Sequence, residues 1–133
     1  MEKTSTKTYL LNAFSLNMLP EFAQVEIMPI SLAEAMIAFK EEAPESAVGH
    51  AETAAILSGL LGAPVPFNRA TVKLNIGDAA IVAQYIGPRL PEGATSLPDG
   101  AKIEFRWVRI LPSGRQEMAR WLSKVTAGLA IDY

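Results

Sequence analysis

Cysteine is absent from the 133 residues, and histidine occurs once, at His50. Without thiols the chain has no disulfides, no thiolate catalysis and no cysteine-based zinc site, and a single imidazole rules out a histidine-rich one. Only carboxylates remain as ligands for a metal, and no metal or other cofactor is expected. The polar opening Met1-Glu2-Lys3-Thr4-Ser5-Thr6 lacks a signal-peptide core, and no apolar stretch approaches the roughly 18 residues of a membrane span. A cytoplasmic protein with no membrane partner is expected. Excess positive charge is missing too: 12 Lys and Arg against 14 Asp and Glu leave a formal charge of −2, which argues against a protein that coats duplex nucleic acid. Neither a low-complexity tract nor an internal repeat is found.

Hydrophobic residues make up 50% of the chain, enough for one well-buried core and too little chain for two ordinary domains. A single domain over 1–133 is expected, with residues 1–6 flexible. Lys7 to Leu11 is a β-rich run that ends in a polar loop, Asn12 to Pro20. Gln24 to Ile30 alternates as a half-exposed strand does, and Ser31-Leu32-Ala33-Glu34 has the capping-box pattern that starts a helix running to about Glu42. Leu32, Ala35, Met36 and Phe39 recur at helical spacing and are expected in the core.

After Pro44 and Gly49-His50, the run Glu52 to Leu61 predicts a second helix, stopped by Gly62 and Pro64. Thr71 to Asn75 and Ala79 to Ile86 read as two strands joined by the turn Ile76-Gly77-Asp78, the second apolar on both faces and therefore central. The proline-stiffened loop Gly87 to Gly93 follows. Lys102 to Ile110 alternates with Ile103, Phe105, Trp107 and Ile110 inward and Glu104 and Arg106 outward, as a strand with one wet face does. From Gly114 to about Gly128, Met118, Trp121, Leu122 and Val125 form one apolar stripe, which predicts a final helix packed on the sheet. Trp107 and Trp121 are expected in the core or at a dimer interface. The order implies an α/β fold, a mixed sheet of about five strands flanked by helices.

Three loops carry the polar residues that chemistry would need: Asn12 to Asn17, Gly49-His50, and Arg89 to Glu92. His50 begins a helix, where imidazole titrates near neutrality and exposed N–H groups favour an anion such as phosphate. Together these loops contain the parts for metal-free cleavage of an RNA phosphodiester. A ribose 2′-hydroxyl attacks its own phosphate in line, a donor protonates the departing 5′-oxygen, and cations stabilise the charged transition state. His50 can be that donor if a nearby carboxylate favours its protonated form, and Glu92 is the candidate partner. Arg89 can grip the phosphate with a bidentate fork, while Ser15, Asn12 and Asn17 can orient it or the sugar. Each of these has an ordinary structural alternative: Asn and Ser commonly cap or turn loops, and Arg89 with Glu92 can be a surface ion pair.

Tyr9 to Leu19, Ser46-Ala47-Val48-Gly49-His50, Asn68-Arg69 and Arg89-Leu90-Pro91-Glu92-Gly93 closely resemble, in matching order, the viral ring-nuclease family, which antagonises type III CRISPR immunity. The resemblance covers roughly the first two-thirds of the chain. It implies a compact α/β homodimer that binds cyclic tetra-adenylate at the dimer interface and cuts it to linear di-adenylates. Carried across, the family's catalytic histidine corresponds to His50, its active-site glutamate to Glu92, its phosphate-contacting arginine to Arg89 and its loop serine to Ser15. Asn12 and Asn17 match polar positions in the ligand pocket. Ala51-Glu52 departs from the acidic-then-Ser pair of many members, and the segment after Gly93 differs from the viral forms. A two-fold dimer repeats each site, so a four-nucleotide ring can present equivalent phosphates to both copies of His50 and be cut twice.

Two other readings use the same sequence. A binding-only sponge would sequester cyclic oligoadenylate without cutting it. A small dimeric nucleic-acid-binding regulator would bind duplex DNA in a salt-sensitive way, against which the acidic composition argues.

Overall fold

The computed structural model describes the backbone of residues 6–112 and 115–131 and, within the carboxy-terminal helix, the side chains of 120–128. The expected flexibility of residues 1–6 falls almost wholly outside the described residues. In chain order the elements are β1 (Thr8–Leu11), a 3-10 turn (Leu16–Met18), β2 (Gln24–Ile30), α1 (Leu32–Glu42), β3 (Glu45–Ala47), α2 (Ala51–Leu61), β4 (Ala79–Ile86), β5 (Lys102–Leu111) and α3 (Arg115–Ile131). The strands form one mixed sheet in the order β2-β5-β4-β1-β3. β1 runs parallel to both β3 and β4, while β5 is antiparallel to β4 and β2. The fold is therefore the expected α/β domain with a five-stranded mixed sheet.

α1 begins as its sequence dictates. The Ser31 hydroxyl accepts from the Glu34 N–H at 3.1 Å, and the Glu34 carboxylate accepts from the Ser31 N–H at 2.8 Å, so two otherwise unpaired donors are satisfied reciprocally. The helix ends at Ala43, whose left-handed conformation (φ 45°, ψ 58°) lets its N–H reach the Phe39 carbonyl. Both α1 and α2 pack on one face of the sheet. Their Ala35, Ala54, Leu57 and Leu61 meet Leu10, Ile81, Ala83 and Phe105 in the main core.

The opposite face has no α-helix packed in its core among the described residues. Irregular chain covers it instead: Val72 and Leu74 are buried against Leu11, Ala80, Val82, Val108 and Ile110, with Phe14, Met18 and Leu19 packed alongside. Of the α1 residues expected in the core, Ala35 and Phe39 are there, but Leu32 and Met36 are exposed. The cover on the opposite face and the position of α3 correct three further expectations. Thr71 to Asn75 is not a strand, because β5 and β1 already occupy both sides of β4; its alternation serves burial, and its Leu74 N–H donates to the Met18 carbonyl at 2.7 Å. β5 is wet only over its first half, where Glu104 pairs with Lys102 at 3.0 Å and Arg106 at 3.3 Å. Further along that same face Val108 and Ile110 are covered by the irregular segments, so Ile110 lies opposite to Phe105 and Trp107. The third concerns α3: the described side chains Arg120 to Gly128 are all exposed, so the stripe of Trp121, Leu122 and Val125 does not pack on the sheet. Met118 lies outside the described side chains. β3, three residues long, was not expected at all.

Candidate active site

The three parallel strands β3, β1 and β4 all end on one edge of the sheet. The segments that leave them are 12–15, Val48 to His50, and Gly87 to Gly93. In open α/β sheets this carboxyl edge is where ligands are held, because loops diverge there over a rigid support. Sheet topology thus brings to one side the three loops that stand far apart in sequence.

β3 and its exit are fixed by a clasp from residues 66–68. The Ser46 hydroxyl donates to the Pro66 carbonyl at 2.7 Å, the Asn68 side chain donates to the Ser46 carbonyl at 2.7 Å, and the Asn68 N–H donates to the Val48 carbonyl at 2.9 Å. Arg69 follows that clasp and passes beside Gly49, its Cα 3.6 Å from where a Cβ on that glycine would stand. From the other side the Asn12 carboxamide oxygen accepts the Gly49 N–H at 3.2 Å. Asn12 therefore supports the turn that presents His50.

His50 caps α2 with extended backbone, and its carbonyl accepts the first helical hydrogen bond, from Ala54 at 3.0 Å. Its Nδ1 lies 3.3 Å from the Thr53 hydroxyl and 3.5 Å from the Glu52 carboxylate, and its side chain is half exposed. With Nδ1 occupied by those two groups, Nε2 is the nitrogen left for a ligand. Glu52 does a second thing: its other oxygen accepts the Gly93 N–H at 3.0 Å. That backbone hydrogen bond, then its own N–H, hold the Glu52 carboxyl below the usual glutamate range; desolvation opposes them, and the His50 charge adds a lesser lowering. Tyr85 donates its hydroxyl to the Pro88 carbonyl at the base of the same loop.

The result is a cavity of about 460 Å³ lined by His50, Glu52, Arg89, Leu90, Pro91 and Glu92. Of the residues expected from sequence, His50, Arg89 and Glu92 line it together. The carboxylate paired with His50 is Glu52, however, and not Glu92. Sequence reasoning noted Glu52 only as a departure from a family pattern; the signal was its place two residues after His50 in the first helical turn, where an acidic side chain can turn back toward the cap. Ser15 and Asn17 do not line the cavity. Ser15 is exposed and its carbonyl accepts the Met18 N–H of the 3-10 turn, while the Asn17 carbonyl accepts from Lys73 Nζ at 2.8 Å.

A proton-transfer group, a carboxylate and a guanidinium facing one cavity beside a helix N-terminus can bind a phosphodiester and exchange protons with its oxygens. No helix among the described residues is long and apolar enough to cross a membrane.

Comparison with known proteins gives a consistent picture. The family model described as STIV B116-like matches residues 8–106. "Uncharacterized protein ORF117" of Acidianus two-tailed virus is 42% identical over 91 residues, spanning 67% of this chain and 77% of that protein. Among solved structures, B116 of Sulfolobus turreted icosahedral virus (STIV) superimposes with a TM-score of 0.66 at 32% identity, covering 77% of this chain and 98% of that one. α3 lies beyond the residues that the family model matches.

Proposed function

The chain belongs to the STIV B116-like family, and from that premise we propose that it is a metal-independent ring nuclease that cleaves cyclic tetra-adenylate into linear di-adenylates, antagonising or switching off type III CRISPR signalling. The observation that carries the reading is the shared cavity of His50, Arg89 and Glu92 at the carboxyl edge of the parallel strands. The motif resemblance supplies the ligand, and the viral sources of the two relatives suit a protein that acts in the cytoplasm of an infected cell.

In this mechanism Arg89 and the α2 N-terminus hold one phosphate of the ring. The neighbouring ribose 2′-hydroxyl attacks phosphorus and gives up its proton to Glu92, the cavity carboxylate that His50 does not engage. The P–O5′ bond breaks, and Nε2 of His50 delivers a proton to the departing oxygen. The products of each cut are a 2′,3′-cyclic phosphate and a free 5′-hydroxyl, with no external reactant consumed. Glu52 keeps Nδ1 engaged so that Nε2 faces the leaving group. A homodimer with the ring on its two-fold axis presents two such sites, and two cuts yield two dinucleotides.

The test is incubation of purified protein, in EDTA, with cyclic tetra-adenylate and separately with the hexamer, resolving products by chromatography, with His50→Ala alongside. Di-adenylate from the tetramer, reduced about 10²–10⁴-fold in the variant as expected for loss of a general acid, is the expected result. A ring that stays bound and intact identifies a sponge, and a ring that neither binds nor is cut refutes the assignment.

A further inference from the structure

We propose that α3 is an exchanged arm, which in a pair of chains docks in the groove between β2 and α1 of the other copy. This inference does not depend on the nuclease reading. Trp121, Leu122 and Val125 sit at helical spacing on one side of α3, and they remain 57%, 49% and 40% exposed. A tryptophan and two aliphatic side chains left about half in water forfeit burial that a docked partner would supply. Beside that stripe, Arg120 and Lys124 stand one helical turn apart, so the face is apolar with a basic margin.

The rest of the molecule offers a matching surface. Met28, Ile30, Ile37 and Trp107 form the apolar floor of a groove of about 330 Å³, and the charged residues lining it, Glu34, Glu41 and Glu42, are all acidic. Met28 and Ile37 are 49% and 58% exposed, so the floor lacks a cover in the single chain. A larger apolar groove of about 720 Å³ lies nearby against Met36, Phe39, Pro44 and Leu61, but its charged residue is Lys40. Charge therefore selects the acidic groove for the basic helix.

A second copy is the occupant that fits both halves. Within one chain α3 leaves its own groove open, and a two-fold pairing fills both grooves and covers both stripes by the same contact made twice. A stable dimer buries about 800 Å² per partner, and a two-fold exchange adds a second helix-in-groove contact toward that burial.

The absence of native cysteine makes a direct test clean. Two single-cysteine proteins, Val125→Cys in α3 and Ile37→Cys in the groove, are purified separately, mixed and mildly oxidised. The expected product is a mixed disulfide at least about fivefold in excess of either self-pair. Adding Arg120→Glu and Lys124→Glu to the first protein should lower it about fivefold or more, and adding Glu41→Lys and Glu42→Lys to the second should restore it. Circular dichroism checks that each variant is folded. No excess of mixed disulfide, or an excess indifferent to both charge reversals, overturns the proposal. So does a chain carrying both cysteines that closes internally as a monomer, since its own helix is then the occupant.

Discussion

Removing the Asp78 carboxylate should cost a large part of the fold's stability while leaving the chemistry untouched. Asp78 is 2% exposed and accepts two backbone N–H groups, from Lys7 at 2.9 Å and from Asn75 at 2.8 Å. Its main chain joins the same knot, since the Ile110 N–H donates to its carbonyl at 2.9 Å and the Ala79 N–H donates to Lys7 at 3.0 Å. One side chain thus ties the start of β1 to the start of β4. In Asp78→Ala both N–H groups lose a charged acceptor in a partly buried place, at about 1.5–3 kcal/mol each, so the expected loss is about 3–6 kcal/mol. Against a total of roughly 5–15 kcal/mol for a domain of this kind, the melting temperature should fall by roughly 10–20 °C. Asp78→Asn keeps the shape and one acceptor but turns an amide donor toward the second N–H, and should recover no more than about half of the loss. Urea denaturation followed by circular dichroism measures both variants. Because Asp78 stands at the amino ends of the strands and His50 beyond their carboxyl ends, ring cleavage per folded molecule at low temperature should match the parent. A loss below about 1 kcal/mol for Asp78→Ala would refute the reasoning, by showing that water serves those N–H groups equally well.

Other perturbations separate core, loop and site. Leu57→Ala removes a side chain with no exposed surface between α2 and the sheet and should cost about 2–5 kcal/mol in urea denaturation. Ala43 adopts φ 45°, a conformation that penalises a Cβ, so Ala43→Gly should raise stability by about 0.5–1 kcal/mol; a loss in the same assay counts against that account. At Gly87 a Cβ would stand 2.7 Å from the Ala101 Cβ and 2.9 Å from its Cα, so Gly87→Ala must move the loop that carries Arg89. Turnover of cyclic tetra-adenylate should fall at least about tenfold, the effect of a misplaced binding group worth about 1.4 kcal/mol. Lastly, the Glu52 carboxyl titrates below its unfolded value because it accepts the Gly93 N–H. Its clamp on the loop is complete above the unfolded pKa and is lost as pH falls through the lower folded one. The Gly93 amide shift, followed by NMR, should therefore titrate with a midpoint below that of an unperturbed glutamate.

Where local pattern and tertiary position agree, the sequence is a sufficient guide. The capping box of α1, the helix read over Glu52 to Leu61 (it begins one residue earlier, at Ala51), the both-sided apolar run of β4 and the alternation at the start of β5 all appear. The misreadings share a cause: each concerns what lies across from a segment, which no local pattern states. Val72 and Leu74 alternate like a strand but are buried from above the sheet. Glu45-Ser46-Ala47 has little strand character and becomes β3 because β1 offers it an edge. In the site, the motifs drew attention to His50, Arg89 and Glu92, and sheet topology explains why they meet. Glu52 escaped notice because its value rests on two contacts, one to its own helix cap and one 41 residues away at Gly93.

The position of β1 in the sheet has a consequence for how the chain reaches its native state. Both neighbours of β1 come later in the sequence, and the knot at its start joins residues 71 positions apart. β1 therefore has no complete seat until β4 has emerged, and parallel pairings over such separations form slowly, since loop closure precedes any gain from contact. Until then Tyr9, Leu10 and Leu11, all buried in the native fold, lack at least one of the two strands that flank them. A polar lead-in, Lys3 to Thr8, precedes them, and a charged or polar flank of this kind is what keeps a waiting apolar strand from pairing with the wrong chain. The carboxyl edge that gathers His50 and Arg89 is consequently a late product of folding, absent from any fragment that stops short of β4.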